Sequence, residues 1–320
     1  MKTFAAAVLA TATSATLMTS VDYEFMHYVA KFNKVYATIE EYEARFLNWA
    51  KNDEFIKKAN AKANSYRAGH NKFSDFTDDE YKNMLGFNVT AMPELQEATQ
   101  PEIIDLPESF DWRDEGMVTP VKDQGACGSC WAFSATEAVE SAWMIAGGEE
   151  TILSPQQLVD CSWDQGNNGC NGGFYFWAYD YLKDHKHQTD ASYPYTASDG
   201  TCVYDESEGV TNVASYNRVN GVKNNLNALA QQPVNVAVSA GNDVFRNYAG
   251  GVVTADDGCP QQCDHAIVAV GWGVEDGVQY YIVRNSWGDS WGLDGYIHIA
   301  TEGGILGVCG INEYVYYPNL

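Results

Sequence analysis

Two cysteines stand three residues apart in the stretch KDQGACGSCWAF, which spans residues 122–133. A pair with this spacing is typical of three kinds of chemistry: a redox-active dithiol, one half of a zinc site, or two thiols with separate roles. Cys127 and Cys130 differ in context, because only Cys130 directly precedes a run that predicts a helix. The spacing alone leaves all three alternatives open.

Cys130 has the context of a nucleophile. Residues 131–146, WAFSATEAVESAWMIA, predict an amphipathic helix that ends at Gly147 and Gly148. The partial positive charge of a helix N-terminus favours the thiolate, which is the nucleophilic form of cysteine. A thiolate that attacks a carbonyl also needs a histidine to exchange protons, a group that orients this histidine, and donors for the developing oxyanion.

Three other side chains meet these needs. His265 begins a strand-like run, and the amide of Asn285, further along the chain, has an oxygen that accepts a hydrogen bond from an imidazole N–H. Gln124 precedes Cys130 and has an amide that donates to an oxyanion alongside the backbone N–H of Cys130. The set predicts acyl transfer to a cysteine.

The surrounding pattern predicts an α+β protein with two lobes, because helical segments come first and strands later. A long helix is predicted over residues 21–62, where aromatic residues recur at helical spacing without proline or glycine. Residues 88–107 contain three prolines and predict an extended linker. Shorter helices are predicted at 155–160 and 174–183, and strands at 233–239, 265–272, 279–284 and 295–300.

Composition narrows the function classes. The 320 residues are 45% hydrophobic and 13% aromatic, which indicates a folded globular protein. With 43 Asp and Glu against 19 Lys and Arg, the net charge is −24, so phosphates would be repelled and nucleic-acid binding is not expected. Residues 4–18 are apolar or small behind a positive N-terminus, and residues 1–20 predict a signal peptide rather than a membrane span.

The chain resembles the papain-like cysteine proteases, in particular the cathepsin L branch. Cys127-Gly-Ser-Cys130-Trp131 fits the sequence pattern around the nucleophile of that family at every position. Further matching stretches are CNGG at 170–173, LPESFDWR at 106–113, GVCGI at 307–311 and YP at 317–318. The resemblance implies an α+β, papain-like two-lobe fold with a helical left lobe and a β-barrel-like right lobe.

The resemblance also implies a mainly helical inhibitory propeptide at residues 21–105, before a mature peptidase domain at 106–320. Two groups of residues match the propeptide motifs of cathepsin L-like enzymes, with Trp49 where phenylalanine is frequent. They are Glu41, Arg45, Trp49, Asn52, Ile56 and Asn60, and then Gly69, Asn71, Phe73 and Asp75. The first group is spaced along one face of a helix. The propeptide is expected to run backwards through the cleft, and protonation near Asp75 to loosen it in acid, with autocatalytic or assisted cleavage between Asn88 and Leu106.

The resemblance assigns roles in the site. Cys130 is expected to be the nucleophile in an ion pair with His265, Asn285 to orient His265, and Gln124 to form part of the oxyanion hole. Trp287 is expected to shield the contact between His265 and Asn285. The implied disulfides are Cys127–Cys170, Cys161–Cys202 and Cys259–Cys309. Histidines 27, 70, 185, 187 and 298 have no partner motif and are interpreted as structural or exposed.

The same resemblance gives the substrate-binding residues. Those expected around the cleft are Gly172, Gly173, Phe174, Tyr175, Ala237, Cys263, Asp264, Ala266, Trp287 and Tyr314. The walls of the main pocket are expected to come from six apolar or aromatic residues: Phe174, Tyr175, Ala237, Cys263, Ala266 and Tyr314. A hydrophobic or aromatic substrate residue is therefore expected two positions before the cleaved bond, with endopeptidase action.

Cys263 departs from the family pattern, in which an apolar residue usually lines the cleft. One interpretation is a small buried hydrophobic residue. The alternative is an oxidisable thiol that forms a reversible bond with Cys130.

Three other functions are weighed against a protease. A thiol–disulfide oxidoreductase would use Cys127 and Cys130 but lacks a thioredoxin-like βαβ context. A zinc module would combine these with Cys259, Cys263 and His265 but lacks a second C-x2-C pair. A catalytically dead homologue usually loses the nucleophile, which is present here.

The expected partners are protein and peptide substrates, the protein's own propeptide and cystatin-type inhibitors. A monomer without metal, cofactor, nucleic acid or membrane is expected. The expected location is the secretory pathway leading to a lysosome, a digestive vacuole or the outside of the cell. Asn88-Val89-Thr90 is an N-glycosylation sequon.

Overall fold

The computed structural model describes residues 19–62 and 65–320. Most of the predicted signal peptide, residues 1–18, lies outside this range. The α-helices are α1 (Ser20–Lys31), α2 (Ile39–Asn60), α3 (Asp78–Lys82), α4 (Cys130–Ile145), α5 (Pro155–Cys161), α6 (Tyr175–Asp184), α7 (Val222–Leu229) and α8 (Asp243–Arg246). The strands are β1 (Tyr66–Ala68), β2 (Phe110–Asp111), β3 (His187–Gln188), β4 (Gly209–Thr211), β5 (Ser215–Val219), β6 (Val234–Val238), β7 (Tyr248–Val253), β8 (His265–Glu275), β9 (Val278–Arg284), β10 (Tyr296–Ala300) and β11 (Val315–Asn319).

The N-terminal region, residues 19–105, contains two long helices instead of the single one predicted over 21–62. Helix α1 ends at Lys31 with Phe32 as its C-cap, and Asn33 then adopts a left-handed conformation with φ 50°. The side chain of Thr38 accepts a hydrogen bond from the amide of Glu41 and starts α2 afresh. Neither glycine nor proline was needed for the break, because asparagine tolerates this conformation and threonine caps well.

The sheet of the C-terminal lobe has nine strands. Eight lie in the order β1-β7-β10-β9-β8-β6-β11-β5, and β2 pairs with β8 at its far end. The pair β10–β7 is parallel and the others are antiparallel. The lobe has no closed barrel: among the described strands, β1 and β5 are the two edges of this order, each paired on one side only.

Two main clusters of buried side chains correspond to the two lobes. One lies around α4, α5 and α6 and the other around the sheet. Helix α4 packs against β8, which brings its first residue, Cys130, close to the first residues of β8. Strand β1 of the N-terminal region adds to the edge of the sheet by pairing with β7. No helix in residues 19–62 or 65–320 is long and apolar enough to span a bilayer.

Candidate active site

Cys130 is the first residue of α4 and is completely buried. Its neighbour Cys127 forms a disulfide with Cys170, so the two cysteines of the C-x-x-C pair have separate roles. The Cys130 sulfur accepts hydrogen bonds from the backbone amides of Gly86, at 3.4 Å, and Ala266, at 3.5 Å. The site thus joins three parts of the chain: the N-terminal region, α4 and β8.

Burial decides the protonation of Cys130 in this state. Desolvation raises the pKa of the Cys130 thiol to about 11, although the amides of Ala266 and Gly86 lower it in part. The helix N-terminus was expected to favour a thiolate. While residues of the N-terminal region cover the sulfur, the loss of solvent favours the neutral thiol.

His265 begins β8 and is held by two contacts. Its Nε2 lies 2.8 Å from Oδ1 of Asn285, and its ring stacks on Trp287 with centroids 4.6 Å apart. The amide of Ser286 also donates to this Oδ1, at 2.8 Å, which identifies the atom as an oxygen. Since an oxygen accepts, Nε2 carries the proton, and Nδ1 is left as a base with no hydrogen-bond partner among the described residues.

Burial also lowers the pKa of His265, to about 4, while its bond to Asn285 raises it in part. In this state burial therefore disfavours the charged form of both Cys130 and His265. The ion pair of Cys130 and His265 stays a prediction for the site once it is open to solvent.

Gln124 points its amide group into the same site. Its Nε2 donates to the carbonyl oxygens of Met84, at 2.8 Å, and Cys127, at 2.7 Å. Its Oε1 accepts from the hydroxyl of Ser286, at 2.7 Å, which fixes which end of the amide faces the cleft. Ser286 is not among the predicted site residues. Its position between Asn285 and Trp287 is the signal that could have found it.

An aromatic pocket lies beside Cys130 and is filled by Phe87 of the N-terminal region. The Phe87 ring contacts those of Phe174, Tyr175 and Tyr314, with centroids 4.9, 5.4 and 5.8 Å away. Ala237, Cys263 and Ala266 belong to the same cluster of buried side chains. The six residues predicted to form the main pocket are thus brought together.

Backbone contacts hold the N-terminal region in this cleft. The amide of Gly173 donates to the carbonyl of Gly86, at 2.8 Å, and the amide of Phe87 donates to the carbonyl of Asp264, at 3.0 Å. A Cβ at Gly172 would come within 2.8 Å of the Gly86 carbonyl oxygen. The cleft-lining glycines therefore allow a second backbone to approach closely.

Two parts of the chain match known protein families. Residues 106–319 match the model of the papain family of cysteine proteases, and residues 25–81 match the cathepsin propeptide inhibitor domain.

The chain belongs to the papain family of cysteine proteases. Papaya proteinase 4 of Carica papaya is 41% identical over 303 residues, which are 92% of this chain and 86% of that protein. Thiol protease aleurain of Arabidopsis thaliana is 40% identical over 302 residues, 92% of this chain and 83% of that protein.

Solved proenzymes of the family have the same fold. Digestive procathepsin L 3 from the larval midgut of Tenebrio molitor superposes with a TM-score of 0.85 at 32% identity, covering 95% of this chain and 100% of that one. The recombinant stem bromelain precursor gives 0.83 at 33% identity, covering 94% and 99%. This protein is therefore a papain-like cysteine protease made as a zymogen with its propeptide in place.

The propeptide motif residues hold the N-terminal region together. The buried carboxylate of Asp75 accepts from Tyr28, Lys34 and Tyr36, at 2.7 to 2.9 Å. Arg45 pairs with Glu80 at 2.5 Å, and this contact is the main cause that lowers the pKa of Glu80 to about 2.

The asparagines of the motif bind backbone. Asn52 donates to Ser74, and Asn60 exchanges two bonds with Ala68 of β1, at 2.8 and 3.0 Å. Trp49 and Ile56 are buried, whereas Glu41 is half-buried and accepts a hydrogen bond from the amide of Ala37.

Other motif residues dock the propeptide on the protease. Asn71 donates to the carbonyl of Arg246, at 2.7 Å, and the amide of Gly69 donates to that of Asn247, at 2.8 Å. Phe73 packs edge-on against Trp287, 5.2 Å between centroids. The shield over His265 is thus itself covered by the propeptide.

The remaining cysteines form Cys161–Cys202 and Cys259–Cys309, so the three disulfides have the pairing that the family resemblance implied. Among the described residues, no group of His, Cys, Asp and Glu could hold a metal ion, which leaves the zinc module without support. Cys263 is buried and unbonded, and its thiol donates to the carbonyl of Ala237.

A buried cluster of charged side chains, which the sequence pattern did not predict, lies behind the site. Arg284, which precedes Asn285, lies 3.3 Å from Glu137 and donates to Thr119. Lys122, two residues before Gln124, pairs with Glu140 of α4 at 2.5 Å. The cluster ties the segments carrying Gln124 and Asn285 to the helix carrying Cys130.

Proposed function

We propose that the mature protease hydrolyses peptide bonds with Cys130 as the nucleophile and His265 as its proton acceptor and donor. In the open site His265 Nδ1 holds the thiol proton as an imidazolium, and the Cys130 thiolate attacks the carbonyl carbon. His265 then gives this proton to the leaving amine, and water hydrolyses the resulting thioester with His265 as base. Asn285 holds the ring in the required tautomer, and Trp287 shields their contact.

This proposal rests mainly on the position of the carbonyl oxygen of Met84 in the cleft. It lies 2.8 Å from Nε2 of Gln124, in a cleft where the sulfur of Cys130 also binds a propeptide amide. A substrate carbonyl oxygen at this position would accept hydrogen bonds from the Gln124 amide and from the backbone N–H of Cys130 as negative charge develops on it.

The propeptide occupies this cleft in the opposite direction to a substrate. A substrate places its pocket-filling residue before the cleaved bond, whereas here Phe87 follows Met84, the residue at the oxyanion site. The sulfur of Cys130 faces the amide of Gly86 and not a carbonyl carbon. Removal of the propeptide restores water to Cys130 and His265, which favours the thiolate–imidazolium pair.

We propose that the pocket around Phe87 selects a hydrophobic or aromatic substrate residue two positions before the cleaved bond. Phe87 is itself 1% exposed there, among aromatic rings. A cationic side chain would lose its hydration without gaining a carboxylate from the predicted pocket residues.

A panel of fluorogenic peptides that differ only at this residue tests the preference on the processed enzyme. Leu and Phe are expected to give kcat/KM at least roughly tenfold above Arg. A substrate with Leu at this position and a blocked C-terminal extension serves as control for endopeptidase action. Preference for Arg over Leu would contradict the assignment of the pocket.

We propose that the enzyme acts as a monomer in the secretory pathway and is a target of cystatin-type inhibitors. One chain supplies every side chain of the site, and three disulfides suit an oxidising compartment. The exposed Asn88 of the sequon suits glycosylation there. The final location is proposed to be a lysosome, a digestive vacuole or the extracellular space, where an acidic pH releases the propeptide and the enzyme carries out general proteolysis.

Self-processing is proposed to remove residues 21–105 by cleavage near Leu106. Ile103 and Ile104 are 56% and 42% exposed in a segment without regular structure, whereas Val89 and Met92 pack against a core cluster. An isoleucine in the aromatic pocket directs cleavage after Ile104 or Asp105.

Purified proenzyme at acidic pH is expected to yield a mature chain that begins at Asp105 or Leu106, read by N-terminal sequencing. The Cys130→Ala proenzyme should remain full-length under the same conditions, and mixing it with active enzyme should restore cleavage at the same bond. Wild-type proenzyme that stays intact until another protease is added would show that activation is not autocatalytic.

A further inference from the structure

His70 lies between the two propeptide residues that bind the protease backbone. Gly69 donates to the carbonyl of Asn247 and Asn71 to that of Arg246, at 2.8 and 2.7 Å. A displacement of His70 therefore acts directly on both docking contacts. Neither the catalytic site nor the propeptide motif residues discussed above includes this histidine.

The His70 ring is enclosed by the two long propeptide helices. It stacks on Trp49 of α2, with centroids 4.8 Å apart and planes 15° from parallel, and Tyr28 of α1 lies 5.9 Å away. Its side chain is 23% exposed. Trp49 also packs on Phe25, so the ring is an extension of the aromatic core of the propeptide.

The charged groups near His70 come from both helices. Nε2 of His70 lies 3.3 Å from Oδ1 of Asp53, but Asp53 also pairs with Lys57, at 2.7 Å. Lys57 in turn pairs with Glu24 of α1, at 3.0 Å. The Asp53 carboxylate is therefore shared between His70 and a lysine that repels a second positive charge.

The neutral ring fits this environment better than the charged ring. With its proton on Nε2, His70 donates to Asp53 and keeps a lone pair on Nδ1, which is buried and has no hydrogen-bond partner among the described residues. A second proton would create a buried N–H donor without an acceptor. Burial accordingly lowers the pKa of His70, more than its hydrogen bond to Asp53 raises it.

We propose that His70 is the proton-sensitive contact that weakens propeptide docking as pH falls. The inference rests on the proposed acid processing of the zymogen. Its sign follows from linkage: the docked form binds fewer protons than the released form, whose histidine titrates near its ordinary pKa of about 6.5. Docking is therefore fully stabilised above this pH and loses stability as pH falls below it.

The Arg45–Glu80 pair does not respond over the same range. Its carboxylate has a pKa lowered to about 2, so it contributes to stability above its ordinary titration range and loses this contribution only in stronger acid. The buried carboxylate of Asp75 is the competing candidate, held by three donors.

The test uses proenzyme with Cys130→Ala, which does not process itself. The pKa of His70 is measured by NMR, and amide hydrogen exchange in residues 66–76 is followed from pH 7.5 to 4.5, corrected for the intrinsic rate. Protection is expected to fall about tenfold for each unit by which docking lowers the pKa of His70. His70→Gln, which keeps a donor toward Asp53, should remove this fall, whereas His27→Gln, at an exposed position of α1, should not.

Two results would overturn the inference: a His70 pKa at or above the ordinary value in the proenzyme, or an undiminished loss of protection in His70→Gln. The second would assign acid sensitivity to carboxylates such as Asp75. Both measurements are made on inactive protein, so they stand apart from the proposed catalysis, which the peptide panel on processed enzyme tests.

Discussion

Replacement of Cys130 by alanine is expected to lower peptide hydrolysis by the processed enzyme by roughly ten-thousandfold or more. The variant keeps His265, Asn285 and Gln124 but loses the atom that forms the thioester. Alanine removes only the sulfur atom of the completely buried Cys130 and keeps a good helix former at the start of α4, so the fold should be retained. The measurement is kcat/KM with a fluorogenic peptide after processing in trans, together with covalent labelling by an epoxide probe of cysteine proteases.

Cys263→Ala is the matched control for this experiment. Cys263 is the other free cysteine of the described residues, is also buried, and belongs to the same cluster of side chains as Cys130. Its loss should leave probe labelling intact and change only the preference among peptides. If labelling instead followed Cys263, or if Cys130→Ala kept substantial activity, Cys130 would not be the nucleophile.

The same comparison addresses the redox alternative. Cys130 and Cys263 are both reduced in the structure, and each accepts or donates hydrogen bonds of its own. A reversible bond between them stays a prediction. Peptide mapping after mild oxidation of the processed enzyme would find it as a crosslink that Cys263→Ala abolishes.

The residues of the site could be predicted from the sequence, whereas their protonation states could not. The residues flanking Cys130, His265 and Asn285 follow a recurrent pattern because backbone donors and a fixed imidazole tautomer need particular neighbours. The protonation states depend instead on burial by Gly86 and Phe87, which lie far away in the chain. The sequence around Cys130 contains no information about that cover.

The contacts that support the site residues could not be predicted from the sequence for a related reason. Ser286 orients Gln124 across 162 positions of the chain, and Arg284 reaches Glu137 from another lobe. A lone serine or a pair of distant charges has no local pattern that distinguishes it from a surface residue. Only the packing of α4 against β8 brings these groups into contact.

Secondary structure was predictable where periodicity was strong. Helix α4 and strands β6, β8, β9 and β10 lie where the hydrophobic pattern indicated. The break between α1 and α2 was missed because a left-handed asparagine and a threonine cap replaced the usual glycine or proline. Strands β5 and β11 pair with each other. Their sequences are polar or rich in tyrosine, and apolar and polar residues do not alternate clearly in them.

Replacement of Gly86 by alanine is expected to release the inhibitory contact without removing the propeptide. A Cβ at this position would lie 1.8 Å from the carbonyl oxygen of Gly128, a backbone atom that cannot rotate away as a side chain would. Gly86 has no positive φ, so the reason for glycine is space. Displacing this backbone would also break the bonds from Gly86 to Cys130 and from Gly173 to Gly86.

The expected size of the Gly86→Ala effect follows from the steric overlap of the new Cβ with the backbone of Gly128. A destabilisation of about 2–3 kcal/mol corresponds to roughly a 30- to 150-fold larger fraction of open cleft in the intact proenzyme. The measurement is labelling of full-length Gly86→Ala protein by the epoxide probe at neutral pH, with gel analysis to show that no processing has occurred. Wild-type proenzyme should be labelled slowly under these conditions.

Asn88→Ala is the matched control, because Asn88 is exposed and lies two residues further along the same segment. Within residues 19–62 and 65–320, its side chain accepts hydrogen bonds only from Thr90. Its labelling should match that of the wild type. Equal protection of Gly86→Ala and wild type would mean that the close passage of the propeptide past Gly128 is not what closes the cleft. The inhibition would then depend on Phe87 in the aromatic pocket and on the docking contacts of Gly69 and Asn71.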